Sequence, residues 1–223
     1  MGTSAADTPA ERSTPDPVRL TPEDGRLVTG VAVATVRARL TGEPEAAILR
    51  SVSESRMPAV AEIPADSPLR RPRACFVTLE RQGKLRGCIG NLSPVQPLTL
   101  DVARNALRAM RDPRLPPVQA EEWPELDVTV SVLSPPSPIP ATTREELRAA
   151  LRPGVDGLVL TDGTRRSTFL PAVWRKITDP GEFVAALLVK GGWPREGWPA
   201  GMTAYRYTSD EFLDPAPRKP LSD

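Results

Sequence analysis

Apolar residues recur at helical spacing in some stretches of the chain and alternate with polar ones in others, so both regular elements are expected. Thr21-Pro22-Glu23-Asp24 reads as a helix start: a capping hydroxyl, a proline suited to the first helical position, then two acids on the positive end of the dipole. The pattern predicts a helix to about Leu40, with Leu27, Val31, Ala34 and Ala38 on one face and Thr41-Gly42 as its stop. A second helix is expected around Glu43 to Ser55. The proline-rich run from Met57 to Pro72 reads as a surface connector.

Ala74 to Glu80 is rich in β-branched and aromatic residues and predicts a strand. A turn at Arg81-Gln82-Gly83-Lys84 returns the chain through Leu85 to Gly90, making a hairpin. Pro97 to Arg111 carries Leu98, Val102, Ala106 and Met110 in steps of four. Asp112-Pro113 stops that helix, because the residue before a proline resists the helical region. The alternation is clearest in Leu126 to Leu133, with Val128, Val130 and Val132 on one side and Asp127, Thr129 and Ser131 on the other. The Ser/Pro-rich run from Ser134 to Pro140 reads as a joint. Beyond it come a capping box at Thr143 to Glu146, a hairpin around Asp162-Gly163 and a helix opened by Asp179-Pro180 and ended by Gly191-Gly192. Tyr205 to Tyr207 reads as a last short strand. The order of elements predicts an α+β fold with a largely antiparallel sheet packed with helices. Residues 1–20 and 214–223, polar and proline-rich without periodicity, read as disordered tails.

Charge narrows the function classes. The 223 residues hold 29 basic and 28 acidic side chains, a net of +1, and aromatic content is 4%. That balance speaks against a nucleic-acid surface or an anionic membrane as partner. No run reaches the roughly 18 to 20 apolar residues that cross a bilayer, and the N-terminus lacks the pattern of a secretory signal, so a cytoplasmic protein is expected. The chain has no histidine, which excludes a Ser-His-Asp or Cys-His site built from its own residues. With only two cysteines and no imidazole, no metal site and no cofactor are expected.

Five segments, in order, resemble the AMMECR domain family, also known as AmmeMemoRadiSam system protein A. They are Cys75-Phe76-Val77-Thr78-Leu79; Gly83 with Leu85-Arg86-Gly87-Cys88-Ile89-Gly90; Pro97-Leu98 leading to Asp112-Pro113-Arg114; Ser131-Val132-Leu133; and Gly154 to Leu158 with Thr168 to Pro171 and Trp174. The resemblance covers about residues 25 to 212. It implies a domain over 21–213 with a larger lobe mainly over 21–134, a smaller one mainly over 140–200 and a cleft between them. It also implies a Memo-like protein and a radical S-adenosylmethionine protein as partners, and it brings no settled reaction.

The chemistry-bearing segment is Leu85 to Gly90. Residues two apart on a strand share a face, so Arg86 and Cys88 are expected roughly 6 to 7 Å apart on one side. A guanidinium there would favour the nucleophilic thiolate. Gly87 would let a ligand approach, and the turn at Gly90-Asn91 offers backbone N–H groups to an anion. Asp112, Arg114 and Ser131 are further candidates for the cleft lining, and Asp112 and Glu121 are candidate bases by type. A buried free cysteine more often packs as a small apolar residue, so a non-catalytic or accessory binding role is favoured over an enzyme with Cys88 as nucleophile and Arg86 as its partner. If the turn centres on Gln82-Gly83, Val77 faces Cys88 and Cys75 faces Gly90. The two cysteines are then diagonal neighbours roughly 7 to 8 Å apart, beyond the Cα separation of an unstrained disulfide, and free thiols are expected.

Overall fold

The computed structural model describes residues 20–221. The expected N-terminal tail therefore lies outside the described residues up to Arg19. The fold is α+β, as the order of elements predicts, and it holds two antiparallel four-stranded sheets. The first is built from β1 (Cys75–Arg81), β2 (Lys84–Gly90), β3 (Leu126–Leu133) and β8 (Ser209–Asp214), in the order β2-β1-β3-β8. The second is built from β4 (Ser137–Ile139), β5 (Gly157–Thr161), β6 (Arg166–Phe169) and β7 (Thr203–Tyr207), in the order β4-β7-β5-β6.

One face of the first sheet is covered by α1 (Pro22–Leu40), α2 (Glu45–Ser53), α3 (Pro58–Ala61) and α4 (Leu98–Ala109). Thr21 and Asp24 close a capping box at the start of α1. Leu27 and Val31 are buried as expected, but the stripe is rotated: Val28, Ala32 and Val36 join them, while Ala34 and Ala38 are half-buried. These side chains meet Val102 and Ala106 of α4 and Val77, Leu79, Val128 and Val130 of the sheet in one core. The second sheet has its own core with α5 (Arg144–Ala150) and α6 (Pro180–Lys190). There Trp174 stacks on Phe183 with ring centroids 3.8 Å apart, and Leu147, Leu158, Leu160 and Leu187 fill the space around them. A smaller cluster of Ala74, Leu133, Val159 and Tyr207, flanked by Phe76 and Leu170, joins the second sheet to the helix-free face of the first.

Three segments depart from the sequence pattern. The connector from Met57 to Pro72 contains the short helix α3 and a 3-10 turn at Pro68–Arg70. The Ser/Pro-rich joint contains β4, where Pro138 is tolerated because β4 lies at the sheet's edge. The C-terminal run is ordered as far as it is described. β8 returns to the first sheet beside β3, and Phe212 packs on α1 where Gly25 leaves room: a Cβ there would lie 2.1 Å from the ring. Arg218 then lies over the Trp123 ring at 5.1 Å, and Trp123 donates to the Lys219 carbonyl at 2.9 Å. Two tertiary anchors thus order a segment whose local composition reads as tail.

Candidate functional site

The β1–β2 hairpin turns on Gln82 and Gly83, both at positive φ (52° and 73°), the geometry whose twist matches the flanking strands. Arg81 pairs with Lys84 as expected. The register then slips between Leu79 and Glu80, where the partner jumps from Leu85 to Gly87 and leaves Arg86 as the extra residue of a bulge. Thr78 therefore faces Cys88 and Phe76 faces Gly90, one residue away from the register that an unbroken hairpin predicts. Cys75 joins the buried side with Val77 and Leu79, while Cys88 lies on the opposite face beside Thr78. Both cysteines are free.

The bulge separates Arg86 from Cys88, so the expected pair does not form. Arg86 makes a two-pronged ion pair with Glu122, Nε to Oε2 at 2.5 Å and Nη2 to Oε1 at 2.9 Å, with side chains only 17% and 9% exposed. This pairing holds the Glu122 carboxyl below its ordinary value. The charges that act on the thiol belong to Arg114, Asp112 and Lys190 instead. Gly87 has a packing role: a Cβ there would sit 1.9 Å from the Ala109 carbonyl oxygen, so α4 closes directly on the strand. Gly90 is pinned likewise, against the Phe76 ring and the Cys75 carbonyl.

Asp112 and Arg114 close the outer edge of β2 at the cysteine. The Cys88 N–H donates to Asp112 Oδ2 at 3.0 Å, and Arg114 Nη2 donates to the Cys88 carbonyl at 3.2 Å. The salt-bridged pair thus imitates a neighbouring strand at an edge that would otherwise be unpaired. The helix α4 ends at Ala109, short of the expected Arg111, and the turn at Pro113 lets Asp112 also accept from the Arg114 N–H at 3.1 Å and from its guanidinium at 2.9 and 2.6 Å. These donors, the Arg114 guanidinium foremost, hold the buried Asp112 carboxyl well below the carboxylate range. Burial pushes the Cys88 thiol up, against the opposing pull of the Thr78 hydroxyl, which donates to Sγ at 3.3 Å, and of the Arg114 charge.

Residues of the second sheet and of α6 also act on the thiol. Lys190, the last residue of α6, donates to the Thr168 carbonyl at 2.8 Å and lies over the Phe169 ring at 5.2 Å. Its ammonium is near enough to Arg114 and Cys88 to feel both, and desolvation with the Arg114 charge pushes its pKa down. Tyr207 lies within the thiol's electrostatic reach, with its hydroxyl held by Thr168 Oγ1 at 2.8 Å and the Phe169 carbonyl at 3.0 Å; burial raises its pKa. No sequence pattern marks Lys190, which reads as the last turn of an ordinary helix, or Thr168 and Tyr207 as its neighbours.

The remaining candidates divide. Ser131 is buried on the Cys88 face of β3, paired with Phe76 and Glu211. Asn91 goes to the helix side, where its amide donates to Asp101 at 2.8 and 3.1 Å. That buried carboxylate also receives Gln96, Asn105 and the Cys75 thiol, a network that pins the loop after β2. Glu121 is exposed, and it is its neighbour Glu122 that enters the structure's ion pairs. No cluster of His, Cys, Asp or Glu among the described residues could hold a metal ion. No helix among them is long and apolar enough to cross a membrane.

Comparison with known proteins gives concordant results. The family model AMMECR1 matches residues 34–212. A protein from Methanothermobacter thermautotrophicus is 35% identical over 183 residues, covering 78% of this chain and 85% of the relative. One from Thermococcus gammatolerans is 39% identical over 176 residues, covering 73% and 83%. The crystal structure of the uncharacterized protein PH0010 from Pyrococcus horikoshii superposes with a TM-score of 0.68 at 31% identity, covering 86% of this chain and 94% of that one.

Proposed function

The chain belongs to the AMMECR1 family, and we propose that it binds a small molecule or peptide in a cleft beside Cys88, in an accessory rather than a catalytic role. The observation that carries this reading is a half-buried thiol on the sheet face that the second sheet packs against, with the Arg114 guanidinium bonded to the same residue's carbonyl. A half-buried thiol beside an exposed guanidinium offers a ligand both an apolar and a charged contact. It lacks what a nucleophile needs. Its Sγ accepts a hydrogen bond from the Thr78 hydroxyl. Asp112 is committed to Arg114 and to the Cys88 backbone, and Tyr207 to Thr168 and Phe169. No base among these is free to take the thiol proton. The second reading, a thiol-dependent enzyme, draws its support from the Arg114 and Lys190 charges, which favour thiolate.

In this reading the protein acts in the cytoplasm with a Memo-like protein and a radical S-adenosylmethionine protein as partners, and co-purification with either supports it. Native mass spectrometry of protein purified from its own host tests the binding reading. A non-covalent mass increment should be present in the wild type, kept in Cys88→Ser and lost in Cys88→Trp, which fills the space. A bare wild-type mass, or a covalent increment lost in Cys88→Ser, counts against it.

A further inference from the structure

A second concavity opens at the far edge of the first sheet. The strand order β2-β1-β3-β8 puts β8 three strand spacings, roughly 14 Å, from the strand that carries Cys88. There a cavity of about 480 Å³ lies between β8 and the 3-10 turn Pro171–Arg175 of the second half. Pro171, Ala172 and Trp174 supply its apolar lining. The Trp174 indole N–H is committed to the Asp156 carbonyl at 2.7 Å, so this ring offers the cavity carbon alone. Ser209 and Glu211, two apart on β8, share one face of the strand and line the cavity from the first sheet. The Ser209 Oγ is buried and has no hydrogen-bond partner among the described residues. Arg175 Nη2 lies 3.5 Å from Glu211 Oε2, a long contact, and neither side chain has another polar partner among the described residues.

A buried hydroxyl without a partner carries a desolvation cost that a hydrogen bond to a ligand removes. A guanidinium has five donors and a carboxylate two acceptor oxygens, so most of the bonding capacity of Arg175 and Glu211 is uncommitted. The two charges cancel, and each would repel a ligand that carried only its own sign. A ligand that carries both signs gains a charge-assisted bond at each end. We propose that this cavity binds a small zwitterion of the α-amino-acid class. Its carboxylate lies on Arg175, its ammonium on Glu211 and the Ser209 Oγ, and its apolar side chain against Pro171, Ala172 and Trp174. The volume falls within the range of roughly 300 to 1,000 Å³ that small-molecule sites occupy. The site is independent of the thiol. Pro171 and Trp174 belong to the last of the five segments that mark the chain, which the Cys88 reading leaves unused.

Titration calorimetry on the full chain with L-leucine, L-methionine, L-phenylalanine and L-proline tests this. At least one should bind. Its amide, which lacks the carboxylate, and its N-acetyl derivative, which lacks the ammonium, should each bind roughly tenfold more weakly, the size of one charge-assisted hydrogen bond. Arg175→Gln and Glu211→Gln should each weaken the parent amino acid by about the same factor. Ala172→Phe, which fills the cavity, should abolish binding in a chain whose melting temperature shows it folded; if that variant does not fold, the two glutamine substitutions decide. Cys88→Ser should leave the affinity unchanged. Absence of binding by all four amino acids at millimolar concentration overturns the site. So does an amide or N-acetyl derivative that binds as well as its parent, or an affinity that Arg175→Gln and Glu211→Gln leave as it was.

Discussion

Replacing Arg86 with methionine distinguishes the structural account of this arginine from a chemical one. Methionine keeps much of the apolar stem but removes the fork that holds Glu122 at 2.5 and 2.9 Å. Breaking a buried ion pair from one side costs about 3 to 5 kcal/mol. Here both partners keep an edge to solvent, with side chains 17% and 9% exposed, and Glu122 still accepts from the Gln119 N–H at 2.8 Å. The expected loss is therefore smaller, about 2 to 3 kcal/mol. For a domain of this size that lowers the melting temperature by about 4 to 12 °C. Arg86→Met/Glu122→Gln should recover about 1 kcal/mol of it, because the stranded carboxylate is gone. Urea and thermal unfolding read the stability, and iodoacetamide labelling of Cys88 in the native protein reads the thiol. Arg86 is absent from the charges that act on the sulfur, so the pH profile of labelling should not move. A melting temperature within about 1 °C of wild type, or a displaced thiol profile, would refute the reasoning.

Two further outcomes follow from the same geometry. Gly87→Ala drives a Cβ to 1.9 Å from the Ala109 carbonyl, and the other atoms it meets also belong to that residue's backbone. Relief requires movement of α4, so a loss of about 3 kcal/mol is expected in urea unfolding; a loss under about 1 kcal/mol would show that the strand and helix are not in contact. Acid should weaken the β2 edge. The Asp112 carboxyl is held below its unfolded value, so its contribution is complete above about pH 4 and drains as pH falls through the native value. Asp112→Asn should flatten that part of the stability–pH curve, and an unchanged acid slope would count against the pairing.

Much of the fold is legible because local chemistry announces it. Thr21, Thr143 and Asp179 cap the helices they were expected to open, and Gly163 turns the β5–β6 hairpin at positive φ. What stays hidden depends on contacts distant in sequence. The bulge at Arg86 depends on Ala109 pressing on Gly87 and on Glu122 drawing the guanidinium away, neither visible in a period of two. The strand β8 has no alternating apolar pattern; its place comes from pairing with β3 and from Phe212 filling the gap at Gly25. Of the site, Cys88, Asp112 and Arg114 were visible as residue types, and the turn at Pro113 brings them together. Lys190 was not, since only the packing of the second sheet on the first brings its charge within electrostatic reach of the thiol.

The most direct measurement is the rate of Cys88 alkylation by iodoacetamide against pH in the full chain. A partly desolvated thiol with no base to deprotonate it should show its inflection above the ordinary cysteine value of about 8.5, in the direction that burial imposes. An inflection well below 8, on the order of those of activated thiolates, would contradict the account and make Cys88 a nucleophile.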